Sequence, residues 1–209
     1  MTHSTPCHTS VSQLITHQKS LRQCHSCDAV IGPVVTGEPV VSPVLLVGQA
    51  PGEKEGSMGK PFAWTAGKTL FKWFQGIGLN ETQFRQSVYM SAVCRCFPGK
   101  KAKGGDRVPS AIEIETCTEW LTKEIDLLQP QLILPVGKLA IAQFIAIQKL
   151  TPIIGRIHPI KFHYGSGDLI PLPHPSGAST WHRTDPGKGL LQQALSLIEQ
   201  HQAWKILRK

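Results

Sequence analysis

The chain has 209 residues, enough to bury one substantial core, and we expect residues 11–209 to form a single domain after a disordered segment at 1–10. Its 22 Lys and Arg exceed its 14 Asp and Glu, and the net charge of +8 favours a polyanionic partner, with nucleic acid ahead of a membrane surface. No apolar run approaches the length of about 18 residues that a membrane span needs, and the first residues lack the apolar core of a signal peptide, which predicts a cytoplasmic protein without a membrane span.

Apolar runs and helical patterns alternate along the chain, which predicts a parallel sheet flanked by helices. In chain order the elements are a helix at 12–22, a strand at 43–47, a helix at 66–75, a strand at 87–93, a helix that opens at Ser110, a strand at 131–136, a helix at 138–147, a strand at 168–172 and a helix at 187–200. Glu113 is placed to complete a capping box with Ser110. The predicted fold is a three-layer α/β/α sandwich with a central sheet of four parallel strands.

Four unusual stretches directly follow the four predicted strands. They are GQAPG, CRCFPGK, VGK and PHPSGASTWHRT. Open parallel sheets bind ligands outside the carboxyl ends of their strands, so we expect the first, second and fourth stretches to converge on one cleft.

The stretch GQAPG has the glycine density of a phosphate-binding loop but not its spacing. Gly48 and Gly52 bracket only three residues, whereas a P-loop needs four residues between its glycines, then Lys and Ser or Thr. The sequence therefore predicts a ligand other than a nucleoside triphosphate.

The six cysteines of a chain without a secretion signal favour thiols, metal ligands or redox groups over a disulfide framework. Cys24 and Cys27 form a CxxC pair, and Cys94, Cys96 and Cys117 offer the remaining thiolates for one metal centre. An iron–sulfur cluster tolerates dispersed ligands, while structural zinc favours two tight pairs. The spacing leaves a cluster, zinc and unrelated buried thiols open.

Three motifs together resemble the uracil-DNA glycosylase superfamily, closest to its iron–sulfur-containing branches, families 4 and 5. The first is Gly48-Gln49-Ala50-Pro51-Gly52 with Glu55, Gly59-Lys60-Pro61-Phe62 and Ala66-Gly67. The second runs from Tyr89 to Pro98 and is similar to YITNVVKCRPP. The third is His174-Pro175-Ser176. The similarity covers about residues 20–200.

This resemblance implies a hydrolase that cuts the N-glycosidic bond of uracil, or of a related deaminated base, in single- or double-stranded DNA and leaves an abasic site. It also implies a 4Fe-4S cluster that ties the amino-terminal segment to the second motif and the following helix. The implied cluster ligands are Cys24, Cys27, Cys96 and Cys117. We expect a structural role for the cluster and a monomeric protein.

The resemblance also implies roles for individual residues. The substrate-binding set is Gly48, Gln49, Ala50, Phe62, Ser91, Ala92 and His174. Backbone amides around Gln49 and Ala50 would bind the pyrimidine carbonyls, while Phe62 would stack on the extruded base. His174 would contact O2 as negative charge develops there, and the implied catalytic residues are His174, Gln49 and Glu55.

Two positions depart from the family pattern. Gln49 stands where family 4 has Glu, so a carboxylate that orients water is missing, and Glu55 is the predicted substitute. Ala92 stands where many relatives have an Asn that reads the uracil edge. Discrimination would then depend on Ser91, on backbone groups or on another side chain, and a different deaminated base would become acceptable.

Phosphate contacts are expected from a basic loop and from the segment after the third motif. The basic residues are Lys100, Lys101, Lys103 and Arg107. The second set is Ser176, Gly177, Ser179, Trp181 and Arg183, with Trp181 directed to the minor groove. Trp64 is a further candidate for stacking beside Phe62.

Two alternatives to an active glycosylase remain. One is a catalytically weak or inactive glycosylase-like iron–sulfur protein that binds or senses damaged DNA, which Gln49 and Ala92 favour. The other is a redox or zinc protein without a role on DNA. A relative that traps its product is said to use a histidine in the loop after the second motif, and residues 98–109 contain none.

Overall fold

The structure is a computed structural model that describes residues 10–208. Nine of the ten residues predicted to be disordered therefore lie outside the described residues, and the division at residue 10 stays a prediction. Within the described range, no helix is long and apolar enough to cross a membrane.

Helices and strands alternate over most of the described chain. The helices are α1 Val11–Arg22, α2 Glu53–Met58, α3 Thr65–Gln75, α4 Glu81–Ser87, α5 Ala111–Leu128, α6 Lys138–Ala142, α7 Gly187–Gln200 and α8 Gln202–Leu207, with a 3-10 turn at Trp181–Arg183. The strands are β1 Val44–Gly48, β2 Tyr89–Ala92, β3 Leu132–Pro135, β4 His158–Phe162 and β5 Gly165–Leu169.

Within the described residues the sheet has five strands in the order β2-β1-β3-β5-β4, one more than the four predicted. The β2, β1, β3 and β5 strands are parallel to one another. The β4 strand pairs antiparallel with β5, with Ile160 opposite Gly167 in the middle of the pair. β4 is an edge strand, which accommodates Pro159 and Lys161 but gives it no continuous apolar run. The fourth predicted strand, 168–172, shares only residues 168 and 169 with β5.

Alternating side chains of β1 supply two separate cores, one on each face of the sheet. Leu45 and Val47 pack in a cluster that includes Leu14 of α1 and Leu121 of α5. Val44 and Leu46 pack in the opposite cluster, which holds the apolar faces of α3, α7 and α8. The helices therefore cover both faces of the sheet, as the three-layer prediction requires.

Capping boxes mark the start of α4 and α5. The Ser110 N–H donates to Glu113 at 2.7 Å and the Glu113 N–H donates to Ser110 Oγ at 3.3 Å, which confirms the predicted start of α5. Asn80 and Gln83 form the same arrangement at α4, a helix that the sequence prediction missed. Helix α6 ends at Ala142, five residues before its predicted end.

Candidate active site

The carboxyl ends of the parallel strands bring the three motifs to one edge of the sheet. Gly48 lies beside Ala92, and Val136 pairs with Leu172, two residues before His174. A cavity of about 560 Å³ opens between these segments. All seven residues of the predicted substrate-binding set line it: Gly48, Gln49, Ala50, Phe62, Ser91, Ala92 and His174. Their convergence is the arrangement expected from the sequence.

The Phe62 ring lies directly against the backbone of Gly48. A Cβ added to Gly48 would lie 3.0 Å from Cε2 of Phe62, closer than ordinary van der Waals contact allows. Glycine at position 48 therefore lets the first strand end against the ring. Phe62 is half-buried, so part of its ring remains accessible at the cavity wall.

Backbone amides of the GQAPG stretch are available as donors at the cavity wall. The Gly48 and Gln49 carbonyls accept hydrogen bonds from Val93 and Cys94, at 2.9 and 3.1 Å, and these bonds fix the stretch to the end of β2. Within residues 10–208, neither the Gln49 nor the Ala50 N–H donates a hydrogen bond to a backbone carbonyl. Free N–H groups at a cavity wall suit a ligand that carries carbonyl oxygens.

His174 is held as a neutral imidazole with its proton on Nε2. The Ser176 N–H donates to Nδ1 at 3.2 Å, so Nδ1 is an acceptor, and the Ser176 hydroxyl lies 2.9 Å from the same nitrogen. Burial, and to a smaller extent the nearby His182, lowers the pKa of His174. The Nε2–H group is therefore a preorganised, uncharged donor.

Gly137 makes room for the His174 ring. Its φ of +87° favours glycine, and a Cβ there would lie 3.0 Å from Cδ2 of His174. Gly137 belongs to the VGK stretch after the third strand, which the sequence did not assign to the cleft. The close approach between this backbone and the ring shows that the third stretch supports the site as well.

The Ser91 hydroxyl donates its hydrogen bond to a buried carboxylate, so it is not available to a ligand. Its Oγ donates to Glu124 of α5 at 2.7 Å. Glu124 also accepts from Tyr89 at 2.9 Å and from both terminal nitrogens of Arg95, at 3.0 and 2.6 Å. Ser91 thus offers the cavity no hydroxyl donor. This network could not be predicted from the sequence, because Glu124 is remote from Ser91 along the chain.

Glu55 connects the first motif to the stacking residue. Its buried carboxyl accepts backbone hydrogen bonds from Phe62 and Gly52. Burial raises its pKa to about 7, against the smaller lowering effects of these two bonds. Glu55 therefore holds the GQAPG turn and Phe62 in one arrangement and titrates near neutral pH.

A hairpin over residues 99–107 forms one rim of the cavity. Lys100 and Asp106 form an antiparallel bridge, and the Lys101 N–H donates to the Gly105 carbonyl at 2.9 Å. Asp106, which the sequence prediction missed, lines the cavity, and its Oδ2 would lie 3.4 Å from a Cβ at Gly52. The hairpin therefore places an additional carboxylate beside the first motif.

The predicted phosphate-binding residues fall into two groups. Arg107 and Ser176 line the cavity, while Lys100, Lys101, Lys103, Gly177, Ser179, Trp181 and Arg183 lie outside its lining. Two of the cations already have partners, since Lys100 Nζ lies 2.7 Å from Glu53 and Arg107 pairs with both oxygens of Glu113.

The two tryptophans proposed for DNA contact differ in exposure. Trp181 is half-buried against the apolar core, and its ring packs so closely on Gly187 that a Cβ there would lie 2.7 Å from Cδ2. Trp64 is 49% exposed and lines the cavity. It is the one aromatic residue among the exposed large apolar side chains of the described chain.

A second cavity, of about 240 Å³, gathers the cysteines. Five thiols line it: Cys24, Cys27, Cys94, Cys96 and Cys117. Burial and then the neighbouring Cys117, Cys24 and Cys27 thiols raise the pKa of Cys96 to about 11, so these groups lie close enough to repel as thiolates. Within residues 10–208, no three of these thiols are arranged around a common metal position.

Arg95 lines the same cavity and brings an unsatisfied donor to it. The residue is 2% exposed, and its Nε has no hydrogen-bond partner within the described structure. A buried N–H without a partner is costly, and an anionic group that accepts from it would remove that cost. Thiolate repulsion and this free donor both fit a cationic metal centre with acceptor sulfurs.

Comparison with known proteins identifies the family. Residues 35–197 match the uracil DNA glycosylase superfamily. The chain belongs to this superfamily. A type-4 uracil-DNA glycosylase from Archaeoglobus fulgidus is 27% identical over 175 residues, 80% of this chain and 82% of the relative. The type-4 enzyme from Thermotoga maritima is 29% identical over 75% of this chain and 78% of its own length.

A type-5 uracil-DNA glycosylase from Pyrobaculum aerophilum is also similar, with 28% identity over 133 residues, 58% of this chain and 56% of the relative. Relatives of both types thus match this member of the superfamily, which confirms the family predicted from the three motifs.

Proposed function

We propose that this member of the superfamily hydrolyses the N-glycosidic bond of uracil in DNA and leaves an abasic site. The observation that carries this function is the shared cavity of Phe62 and His174, with the free N–H groups of Gln49 and Ala50 at its wall. These groups supply a stacking face, carbonyl-binding donors and a donor for developing charge. A base inside a duplex cannot be reached, so it must leave the stack and enter such a pocket.

The reaction exchanges one bond to the sugar for another. The bond between C1′ and N1 breaks, and its electron pair leaves with the uracil ring, while a water oxygen bonds to C1′ and its proton passes to solvent. Negative charge grows on O2 of the ring as this happens. The Nε2–H of His174 is proposed to donate to that oxygen, and a preorganised donor of this kind is often the largest catalytic contribution.

Base selection in this pocket must work without a side-chain amide at position 92. The Ala92 side chain has neither a hydrogen-bond donor nor an acceptor, and the Ser91 hydroxyl donates to Glu124. Backbone groups of the GQAPG stretch and the Asp106 carboxylate remain as polar groups beside the base. We propose uracil as the first substrate, with hypoxanthine and xanthine as the competitors that a pocket without the Asn would admit.

The order of substrates can be measured on labelled single-lesion oligonucleotides that carry uracil, hypoxanthine or xanthine, each as single strand and as duplex. We expect the largest kcat/KM for uracil. A larger value for either purine would overturn the choice of base while keeping the glycosylase reaction.

Ionisation of Glu55 should make stability depend on pH. The folded protein holds a proton on Glu55 up to a pKa of about 7, whereas the unfolded chain loses it near 4.5. The contribution of protonated Glu55 to the free energy of unfolding is therefore complete below pH about 4.5. It falls as pH rises towards 7, by on the order of 3 kcal/mol in total. Glu55→Gln keeps an acceptor oxygen without the charge, so its melting temperature should lose this decline.

The same variant tests the assignment of Glu55 as the carboxylate that orients water. A base of this kind would give a wild-type excision rate that rises through pH about 7, and Glu55→Gln would lack that rise. If the two pH–rate profiles are parallel, Glu55 serves only to hold Phe62 and Gly52.

Contacts to DNA phosphates are proposed for the hairpin and for the segment after His174. Lys100 is engaged with Glu53, so Lys101 and Lys103 are the hairpin cations better placed to contribute charge. Trp64, exposed at the cavity mouth, is proposed to stack on a base next to the extruded one, in addition to the Trp181 contact predicted from the sequence.

Charge reversal at Lys101 and Lys103 should flatten the salt dependence of DNA binding. Each lost phosphate contact reduces the slope of log K against log salt by about 0.9 on duplex DNA. Lys205→Glu, on α8 and outside the cavity lining, is the matched control and should leave the slope nearly unchanged. Equal slopes for the double variant and the control would remove the hairpin from the footprint.

A 4Fe-4S cluster is the proposed occupant of the thiol cavity, with Cys24, Cys27, Cys96 and Cys117 as ligands. The donor chemistry and the free Nε–H of Arg95 support this choice. Bound there, the cluster would join the end of α1 to the second motif and α5, a structural link. Protein purified without oxygen should contain about four iron atoms per chain. Stoichiometric zinc without iron would contradict the cluster.

A further inference from the structure

Phe62 has an unusual backbone conformation for its residue type. Its φ is +52°, and only one other non-glycine residue in the described range, Gln129, has a positive φ. Bulky residues rarely adopt the left-handed region, and such strain persists only where surrounding contacts enforce it. The side chain at this position forms the proposed stacking wall, so the contacts that enforce the conformation also aim the ring.

Arg85 of α4 supplies two of these contacts. Its Nη1 donates to the Pro61 carbonyl at 2.9 Å, and its Nη2 donates to the Phe62 carbonyl at 3.2 Å. The guanidinium is itself fixed, since Nε donates to Glu81 at 2.9 Å and Cζ lies 4.6 Å from the centre of the Phe71 ring. The side chain is 13% exposed, so solvent competes little for these bonds.

Glu55 and Gly67 complete the enclosure of the same peptide. The Phe62 N–H donates to Glu55, and a Cβ on Gly67 would collide with the Phe62 carbonyl oxygen. The Phe62 backbone is thus held at its N–H by one motif residue and at its carbonyl by Arg85, with glycine required beside it. Arg85 lies outside the cavity lining, so it would not contact a base bound in the cavity.

We propose that Arg85 is a positioning residue for base stacking, which acts by holding Phe62 in its left-handed conformation. This inference rests on the proposed function, because stacking on an extruded base is what gives the ring its orientation requirement. A planar guanidinium can bind two adjacent carbonyls and Glu81 at once, whereas the single ammonium of lysine cannot reproduce that fork.

A double-mutant cycle tests the proposal. The variants are Arg85→Met, Phe62→Ala and the two combined, with kcat/KM for uracil release from a single-stranded oligonucleotide as the measurement. Arg85→Met should lower kcat/KM about tenfold, within the contribution of one stacked base. In the Phe62→Ala background the same change should have little effect, because the ring that Arg85 aims is gone.

Arg156→Met is the matched control, since Arg156 is exposed and lies outside the cavity lining, and it should keep wild-type kcat/KM. Arg85→Lys retains the charge over Phe71 and should show a smaller loss with the same dependence on Phe62. Equal losses from Arg85→Met with and without Phe62, at unchanged urea unfolding, would overturn the proposal. Absence of uracil release by the unaltered protein would instead reject the proposed function.

Discussion

Replacing His174 with alanine should slow uracil release by about 100 to 1,000-fold, the usual cost of removing one preorganised donor from a buried site. The Nε2–H of His174 is fixed by the Ser176 N–H on Nδ1 and by the close approach of Gly137. The loss should appear in the single-turnover rate, because the donor acts as charge develops on the leaving base.

His158 provides the matched control for this experiment. It also precedes a proline, but it lies on β4, its Nε2 is 2.9 Å from the Ile153 carbonyl, and it is outside the cavity lining. His158→Ala should therefore keep the rate of release. If His174→Ala releases uracil within a factor of about three of the unaltered protein, His174 does not stabilise the leaving group.

Replacing Glu124 with alanine should lower the free energy of unfolding by about 3–5 kcal/mol. Glu124 is fully buried, and its carboxylate accepts from both terminal nitrogens of Arg95 as well as from Tyr89 and Ser91. Removing it leaves the Arg95 guanidinium charged and without its anion in the interior. The cost of that unpaired charge, rather than the strength of the pair itself, sets the size of the loss.

Glu119→Ala is the control on the same helix, since Glu119 is exposed, and it should change stability by less than about 0.5 kcal/mol. Urea unfolding of both variants, followed by a spectroscopic signal of the fold, gives the comparison. A Glu124→Ala protein as stable as Glu119→Ala would mean that the network contributes nothing to the fold.

Contact with Arg95 also makes the stability of the fold depend on pH at the acid end. Although burial alone would raise it, the Arg95 charge and the hydrogen bonds hold the pKa of Glu124 at about 2. A carboxyl with a depressed pKa stabilises the fold above its unfolded value near 4.5, and this contribution is lost as pH falls towards 2. Glu124 therefore contributes its full stabilisation near neutral pH.

Much of the fold could be predicted because its elements have strong local patterns. The apolar run that became β1 is buried at every position, and α5 starts where Ser110 and Glu113 were expected to cap it. The β4–β5 hairpin was missed because Pro159, Lys161 and Gly165 give these strands no apolar run. Their structure depends on pairing at the sheet edge, which a local pattern does not encode.

The functional site, like the fold, could be predicted from the sequence only in part. Residues of the first and third motifs line the cavity as expected, since each motif is a contiguous turn at a strand end. Arg85, Asp106 and Glu124 could not be found from the sequence, because each meets its partner only through tertiary packing. For Arg85 one sign was present, the capping box of Asn80 and Gln83 that starts its helix.

The most direct test of the proposed reaction is the number of free uracil molecules released per enzyme molecule from an excess of a single-stranded oligonucleotide with one uracil. A cavity that stacks the base on Phe62 and binds its leaving charge through His174 should release many uracils per enzyme and leave alkali-sensitive abasic strands. Tight binding of the same oligonucleotide with no uracil released, or with release that stops at one per enzyme, would contradict a glycosylase that turns over.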